Sequence, residues 1–261
     1  MSQSSKKTNG ITIATAVDAK FFALIIGFEQ NIFQVFGSYP IVADIGLNDD
    51  QKPLIKSQIS THSVDSGFSD HSSDGFIRAI HKPQIVREIL KQIDSPLLLL
   101  DTDMVITSAF DFSIFDGCDM AITRRHRRER RDKKNLLNGN LNTGFLFFRN
   151  TSAVFALIDQ WEALCSSTDK SDQRALSDLL EHFDITGDFG IRSHDGLDLK
   201  ILEPNLYNDV ASKTGYIYHI KAGGRSKKRA GRWQRYNWLA RNIPWLLKLR
   251  VAFWRKMPFE A

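Results

Sequence analysis

The sequence predicts an α/β fold, a mostly parallel central sheet flanked by helices, and three observations carry that prediction. Short apolar runs rich in β-branched residues alternate along the chain with longer segments of helical periodicity, the pattern of strands joined by crossover helices. One run, Pro96–Leu100, is apolar throughout and is the best candidate for a central strand. It stops abruptly at Asp101, and in open sheets of this kind ligands sit beyond the carboxyl ends of the strands.

Each element follows from local pattern. Ile11–Val17 is β-branched and alternating enough for a buried strand. Asp18–Phe36 reads as a helix, with Phe21, Phe22, Ile25, Phe28 and Ile32 at helical spacing. Pro40–Asp44 is a short strand closed by a turn over Gly46–Asp50. Pro53–Ser60 fits no single pattern, and Ser63–Gly75, rich in Ser, Asp and Gly, reads as a loop. Lys82–Ile93 is a helix leading into Pro96–Leu100. Met120–Thr123 is a short strand, and the charge run Arg124–Lys134 reads as a solvated, mobile loop. Thr143–Arg149 is a strand rich in Phe; Ala153–Leu164 and Asp172–His182 are helices; Lys200–Glu203 and Tyr216–Ile220 are late strands. No internal repeat is visible.

A chain of 261 residues sits near the upper size for one hydrophobic core. The expected organisation is a polar tail over residues 1–10, one catalytic domain over 11–224, and a separate extension over 225–261. Two cysteines, Cys118 and Cys165, stand far apart without Cys/His spacing, so neither a disulfide framework nor a zinc knuckle is expected. The first residues carry no apolar stretch of signal type, and no run approaches the ~20 apolar residues of a spanning helix. A cytoplasmic location is the expectation.

Charge is distributed unevenly. From Lys221 to Lys256 there are 12 Lys/Arg and no Asp/Glu, leaving 23 basic against 30 acidic residues elsewhere. Four of the five tryptophans, Trp233, Trp238, Trp245 and Trp254, lie in the same stretch. Aromatic rings among cations suit an anionic membrane surface, with Pro244 opening the last helix. This predicts peripheral attachment to the inner face of a membrane, with packing of the tail onto the body as the alternative. A nucleic-acid partner would use the same residues, but the acidic body fits it poorly.

The chemistry centres on Leu97-Leu98-Leu99-Leu100-Asp101-Thr102-Asp103. Two carboxylates two residues apart on extended backbone project to one side. Held close they repel unless a cation lies between them, and a hard divalent ion with oxygen ligands meets that demand. The structural alternative is a strand-end turn with solvated aspartates.

This segment resembles the metal-binding Asp-x-Asp of the GT-A nucleotide-diphospho-sugar transferases, in particular the retaining glycogenin-like and lipopolysaccharide-galactosyltransferase-like branch. Other landmarks follow in the family's order across Ile11 to Gly224. Ile13-Ala14-Thr15-Ala16-Val17-Asp18 resembles the first strand and nucleotide-binding loop, and His81-Lys82-Pro83 the basic helix start. Asn142-Thr143-Gly144-Phe145 resembles the strand bordering the donor sugar, Asp172-Gln173 the acidic-Gln pair opening a helix near that sugar, and Tyr218-His219-Ile220-Lys221-Ala222-Gly223 the late metal-binding His with its phosphate Lys.

The resemblance implies a division of roles. Asp101, Asp103 and His219 would hold the metal. Ala14, Thr15, Asp18, Lys82, Thr102, Asn142, Gly144, Lys221 and Gly223 would contact the nucleotide-sugar donor, a UDP-sugar. Asp172 and Gln173 would serve the reacting sugar. An imidazole beside two carboxylates shifts preference from Mg2+ toward Mn2+. Retention of anomeric configuration and a glycan or glycolipid acceptor, in surface polysaccharide or glycolipid synthesis, are implied as well. The chain departs from the family in ending Lys221-Ala222-Gly223-Gly224 where Lys-Pro-Trp is usual. Asp101-Thr102-Asp103-Met104-Val105 also resembles the opening motif of haloacid-dehalogenase-like phosphatases, with Asp101 as nucleophile. In that family the motif opens the chain, and here it does not.

Overall fold

In chain order, β1 (Thr12–Val17) leads to α1 (Phe22–Phe36), β2 (Ile41–Asp44), β3 (Gln58–Thr61), α2 (Lys82–Gln92), β4 (Leu97–Leu100), β5 (Met104–Ile106), β6 (Met120–Arg124) and β7 (Leu141–Phe148). After these come α3 (Ser152–Ser167), α4 (Asp172–Leu179), β8 (Gly190–His194), β9 (Leu197–Leu202), β10 (Ile217–His219), α5 (Lys227–Asn242) and α6 (Pro244–Lys256). This computed structural model describes residues 10–61, 81–126, 129, 139–167, 171–221 and 227–256. The predicted Ser63–Gly75 loop, almost all of the polar tail, and Gly223 lie outside the described residues.

Eight strands form one sheet in the order β3-β2-β1-β4-β7-β6-β9-β8, and β5 and β10 form a separate two-stranded sheet. Pairings of β1 with β2 and β4, β2 with β3, and β6 with β9 are parallel. Those of β4 with β7, β6 with β7, and β8 with β9 are antiparallel. β4 lies near the middle and all four leucines are buried. Leu98 and Leu100 join one core while Leu97 and Leu99 join the other, as the two-residue period of a strand requires. The first core gathers α1, α5 and the small sheet; the second gathers α2, α3 and α4.

Several boundaries differ from the sequence expectation, each for a local reason. The first helix begins at Phe22 rather than Asp18, because the Asp18 carboxylate accepts the Phe21 N–H at 2.9 Å and holds a turn ahead of it. It ends where Gly37 adopts φ 81° and donates its N–H to the Phe33 carbonyl, a left-handed cap that suits glycine. The segment Asp172–His182 breaks after Leu179 into a short 3-10 turn, Glu181–Phe183, that sinks Phe183 into the core. Pro53–Ser60 resolves into a 3-10 turn, Lys52–Leu54, and the start of the edge strand β3.

The expected mobile loop needs correction over its described part. Arg124 belongs to β6, and Arg125, His126 and Glu129 are buried. Arg125 donates to the carbonyls of Gly139 (3.0 Å) and Glu129 (3.2 Å), and the His126 N–H donates to the Glu129 carboxylate at 3.0 Å. These bonds fold the start of the charge run back on itself.

The basic tail divides its residues between two environments. On α5, Trp233, Tyr236, Asn237 and Ala240 are buried. Gly27 of α1 makes the approach possible: a Cβ there would lie 2.7 Å from the Trp233 ring and 2.3 Å from Asn237 Nδ2. Trp238, Trp245, Leu246, Leu249 and Phe253 remain exposed. No helix among the described residues is long and apolar enough to cross a membrane.

Candidate metal and donor site

The site starts where β4 leaves the large sheet. The Met104 N–H donates to the Asp101 carbonyl at 3.1 Å, so Asp101-Thr102-Asp103-Met104 is a four-residue turn. The two carboxylates therefore meet across a turn rather than along extended backbone. β5 then pairs antiparallel with β10, setting His219 opposite Met104, and the Ile220 N–H donates to the Asp103 carbonyl at 3.1 Å. This small ladder delivers the late histidine to the early aspartates.

His219 Nε2 lies 3.1 Å from Asp103 Oδ1 and 3.9 Å from Asp101 Oδ2. One ligand atom from each of the three residues falls within 4.8 Å of the others. An octahedral cation about 2.1 Å from its ligands sets neighbouring ligands roughly 3 Å apart, so the donor set fits a small divalent ion after slight contraction. Asp103 and His219 are buried, while the Asp101 side chain is 35% exposed and marks the opening. Gly144 supplies the floor: a Cβ there would stand 2.7 Å from His219 Cε1, 2.8 Å from Asp101 Oδ2 and 2.9 Å from Asn142 Oδ1. No side chain fits in that space, which is why glycine occupies it.

Lys82, at the start of α2, ties the metal turn to the sugar-side residues. Its Nζ reaches Asp101 Oδ1 (3.0 Å), the Thr143 carbonyl (3.0 Å) and Asp172 Oδ2 (3.5 Å). Burial alone would push the ammonium toward neutrality, but Asp101 and Asp172 outweigh it and hold its pKa well above the ordinary lysine range. Asp172 also accepts the Thr143 hydroxyl at 2.8 Å, and its carbonyl accepts the indole N–H of Trp161 at 2.8 Å. Ser171 caps α4 by accepting the Arg174 N–H, which fixes Asp172 and Gln173 in the first helical turn. Gln173 Oε1 receives a 3.3 Å bond from Asn142 Nδ2, while Asn142 Oδ1 accepts the Gly144 N–H at 2.9 Å. The register of β6 against β7 shifts here, from Ile122 opposite Leu146 to Thr123 opposite Asn142. Such an irregularity re-aims side chains beside a site.

The predicted residues thus converge unequally. Asp101, Thr102, Asp103, Lys82, Asn142, Gly144, Asp172, Gln173 and His219 form one connected neighbourhood. Ala14 and Thr15 lie inside β1, both fully buried, and Asp18 is occupied with the turn into α1. Lys221 follows β10 and is ion-paired with Glu129. Burial raises the Glu129 pKa, but Lys221, His219 and the His126 N–H together hold it below the usual glutamate range. Thr143 stands inside the Asn142-Thr143-Gly144 motif with no role of its own assigned there, and nothing local in the sequence signals Glu129, Trp161 or Asn208.

Comparisons with known proteins bear on the family and the fold. The family model for nucleotide-diphospho-sugar transferases matches residues 50–234. The structure is similar to that of the galactosyltransferase LgtC in complex with donor and acceptor sugar analogs, at 13% identity and a TM-score of 0.52, over 88% of this chain and 95% of that one. It is likewise similar to an active-site mutant of LgtC, at 10% identity and a TM-score of 0.53, over 86% and 94% of the two chains. At such identities the likeness is one of fold. No curated protein matches the chain by sequence. The family match leaves the phosphatase alternative without support.

Proposed function

This chain belongs to the nucleotide-diphospho-sugar transferase family, and from that premise we propose that it moves a sugar from a UDP-sugar to a hydroxyl of a glycan or glycolipid, using a divalent cation, manganese ahead of magnesium, held by Asp101, Asp103 and His219. The observation that carries the reading is the meeting of those three side chains at the end of β4. When bound, the cation supplies electrostatic stabilisation of charge developing on the departing diphosphate.

The chain's own residues do the rest. Lys82 places one ammonium between Asp101 and Asp172, which offsets part of the repulsion between the two carboxylates. Gly144 lets the β7 backbone approach the sugar closely. Asp172 and Gln173 present acceptor oxygens to sugar hydroxyls from the first turn of α4. Lys221 exchanges Glu129 for the diphosphate. Retention of anomeric configuration is part of the proposal. Ala14, Thr15, Asp18 and Gly223 remain proposed donor contacts.

The test is thermal stabilisation by a panel of nucleoside diphosphates, with and without Mn2+, on wild type and Asp103→Ala. A ligand binding only the folded state raises Tm by mass action. Manganese-dependent stabilisation by UDP, lost in the variant, is the expected result. Stabilisation by UDP that is equal without metal and in the variant would sink the metal assignment.

The proposed acceptor side includes an anionic membrane surface at the cytoplasmic face, contacted by residues 225–261. Trp245, Leu249 and Phe253 recur every fourth residue on α6 and are exposed, so they share one face. Leu247, buried on the same helix, anchors the opposite face to the body. No acidic residue interrupts the stretch from Lys221 to Lys256, which favours anionic headgroups.

A further inference from the structure

The metal assignment raises a question that its three ligands do not answer, namely what decides which nitrogen of His219 carries the proton. A neutral imidazole has one N–H and one lone pair. For His219 to bind a cation through Nε2, which faces Asp103 and Asp101, the proton must sit on Nδ1 and find an acceptor there. The residue on that side is Asn208, whose Oδ1 stands 2.6 Å from His219 Nδ1, both residues being buried. Resting on the metal reading above, we propose that Asn208 is a positioning residue: its side-chain carbonyl accepts the Nδ1–H of His219, fixing the ring's orientation and leaving the Nε2 lone pair directed at the cation.

The surroundings of Asn208 are built to keep it there. It follows the helical turn Pro204–Tyr207, and its own N–H donates to the Pro204 carbonyl at 3.0 Å. The next residue, Asp209, is sewn to β10: its N–H donates to the Ile217 carbonyl at 3.0 Å, and its carbonyl accepts the His219 N–H at 3.2 Å. The Asp209 carboxylate then accepts the backbone N–H groups of Ala211 (2.8 Å), Lys213 (2.7 Å), Thr214 (2.8 Å) and Gly215 (3.0 Å). Those four bonds close the loop between the helical turn and β10, so Asn208 and His219 are carried on backbones bonded to each other.

The amide is kept at a cost. Asn208 is fully buried, yet its Nδ2 has no hydrogen-bond partner among the described residues. Leaving a buried donor unpaired is unfavourable, and a leucine of similar size would avoid it. What leucine lacks is an acceptor for the Nδ1–H. The opposite orientation of the amide, with Nδ2 toward the ring, would force the imidazole proton onto Nε2 and block metal binding. An acceptor behind a metal-binding histidine is a recurrent way of fixing its tautomer, and its loss lowers metal affinity 10- to 100-fold.

The experiment titrates Mn2+ into the full chain in the presence of UDP, reading free Mn2+ by its paramagnetic resonance signal, for wild type, Asn208→Leu and Asn208→Asp. Circular dichroism and Tm report folding. Asn208→Leu is expected to weaken Mn2+ binding 10- to 100-fold, whereas Asn208→Asp, which also accepts the Nδ1–H, stays within a few-fold of wild type. A folded Asn208→Leu that binds Mn2+ like wild type overturns the inference and leaves the metal reading intact. A wild type that binds no Mn2+ with UDP overturns both. Should Asn208→Leu fail to fold, histidine 15N–1H correlation spectra of wild type loaded with diamagnetic Cd2+ decide: a His219 proton on Nδ1 supports the role, and a proton on Nε2 ends it.

Discussion

Individual positions in the site are fixed by how little space and how much charge surround them. Gly144→Ala would place a methyl 2.7 Å from His219 Cε1 and 2.8 Å from Asp101 Oδ2, distances real side chains do not tolerate. Relief must come from displacing His219, Asp101, Asn142 or the β7 backbone. The expected outcome is a stability loss of about 1–3 kcal/mol and loss of Mn2+-dependent stabilisation by UDP, measured by thermal shift. Lys82→Met tests charge instead of space. Removing the ammonium leaves Asp101 and Asp172 facing each other without a cation; breaking a buried pair costs about 3–5 kcal/mol, and the partial exposure of Asp101 favours the lower end. The lysine's pKa is raised in the folded state, so its contribution is complete below the ordinary lysine value of ~10.4. It is lost only as pH rises through the higher folded value. Urea denaturation of the pair of proteins at pH 7 and 9 should therefore give the same difference. A gap that closes between those pH values would contradict the assignment of a raised pKa.

Among the elements, the sequence was most informative where pattern and burial coincide, and least where chain-distant pieces meet. The four leucines of β4 and the Phe-rich end of β7 are legible because strands buried on both faces favour continuous apolar runs. β5 is not, because Met104–Ile106 is short and its partner β10 lies far along the chain. For the same reason the Asp101–Asp103 segment read as extended chain, when the pairing of β5 with β10 bends it into a turn. The His219 assignment came from resemblance, and its neighbour Asn208 carries no local signature at all. The charge run after β6 misled in another way: eight cations suggested solvent, while Glu129 within it is buried against Lys221. That ion pair supplies the element-scale prediction. Glu129→Gln keeps an oxygen able to accept the His126 N–H but releases Lys221 from its counter-charge. UDP affinity in the presence of Mn2+, measured by calorimetric titration, should rise several-fold, since Lys221 no longer has to exchange a carboxylate for the diphosphate. Unchanged or weaker binding would remove Lys221 from the proposed donor contacts.

Across the whole molecule, the basic aromatic tail is divided between two environments, and the division is visible in which tryptophans are covered. Trp233 is buried between α1 and the small sheet, and its indole N–H donates to the Met104 carbonyl at 3.3 Å. Met104 directly follows Asp103 and pairs with His219, so α5 braces the strand that leaves the Asp101–Asp103 turn. Trp238, five residues further along the same helix, is 54% exposed, and Phe253 on α6 is 57% exposed. One variant in each class should separate support of the fold from the proposed membrane contact. Trp233→Ala deletes a buried indole, at a cost of about 3–5 kcal/mol, which in a chain of this size lowers Tm by roughly 2–4 °C per kcal/mol. It should also weaken Mn2+-dependent stabilisation by UDP, because β5 loses its support. The double variant Trp238→Ala, Phe253→Ala removes only exposed rings and should leave Tm and nucleotide response near wild type. Its deficit should appear in co-sedimentation with anionic vesicles, where fewer rings reach the headgroup layer. If the double variant sediments as wild type does, the exposed aromatics are not the membrane contact. If Trp233→Ala melts early yet keeps its full response to UDP and Mn2+, then α5 stabilises the fold without shaping the site.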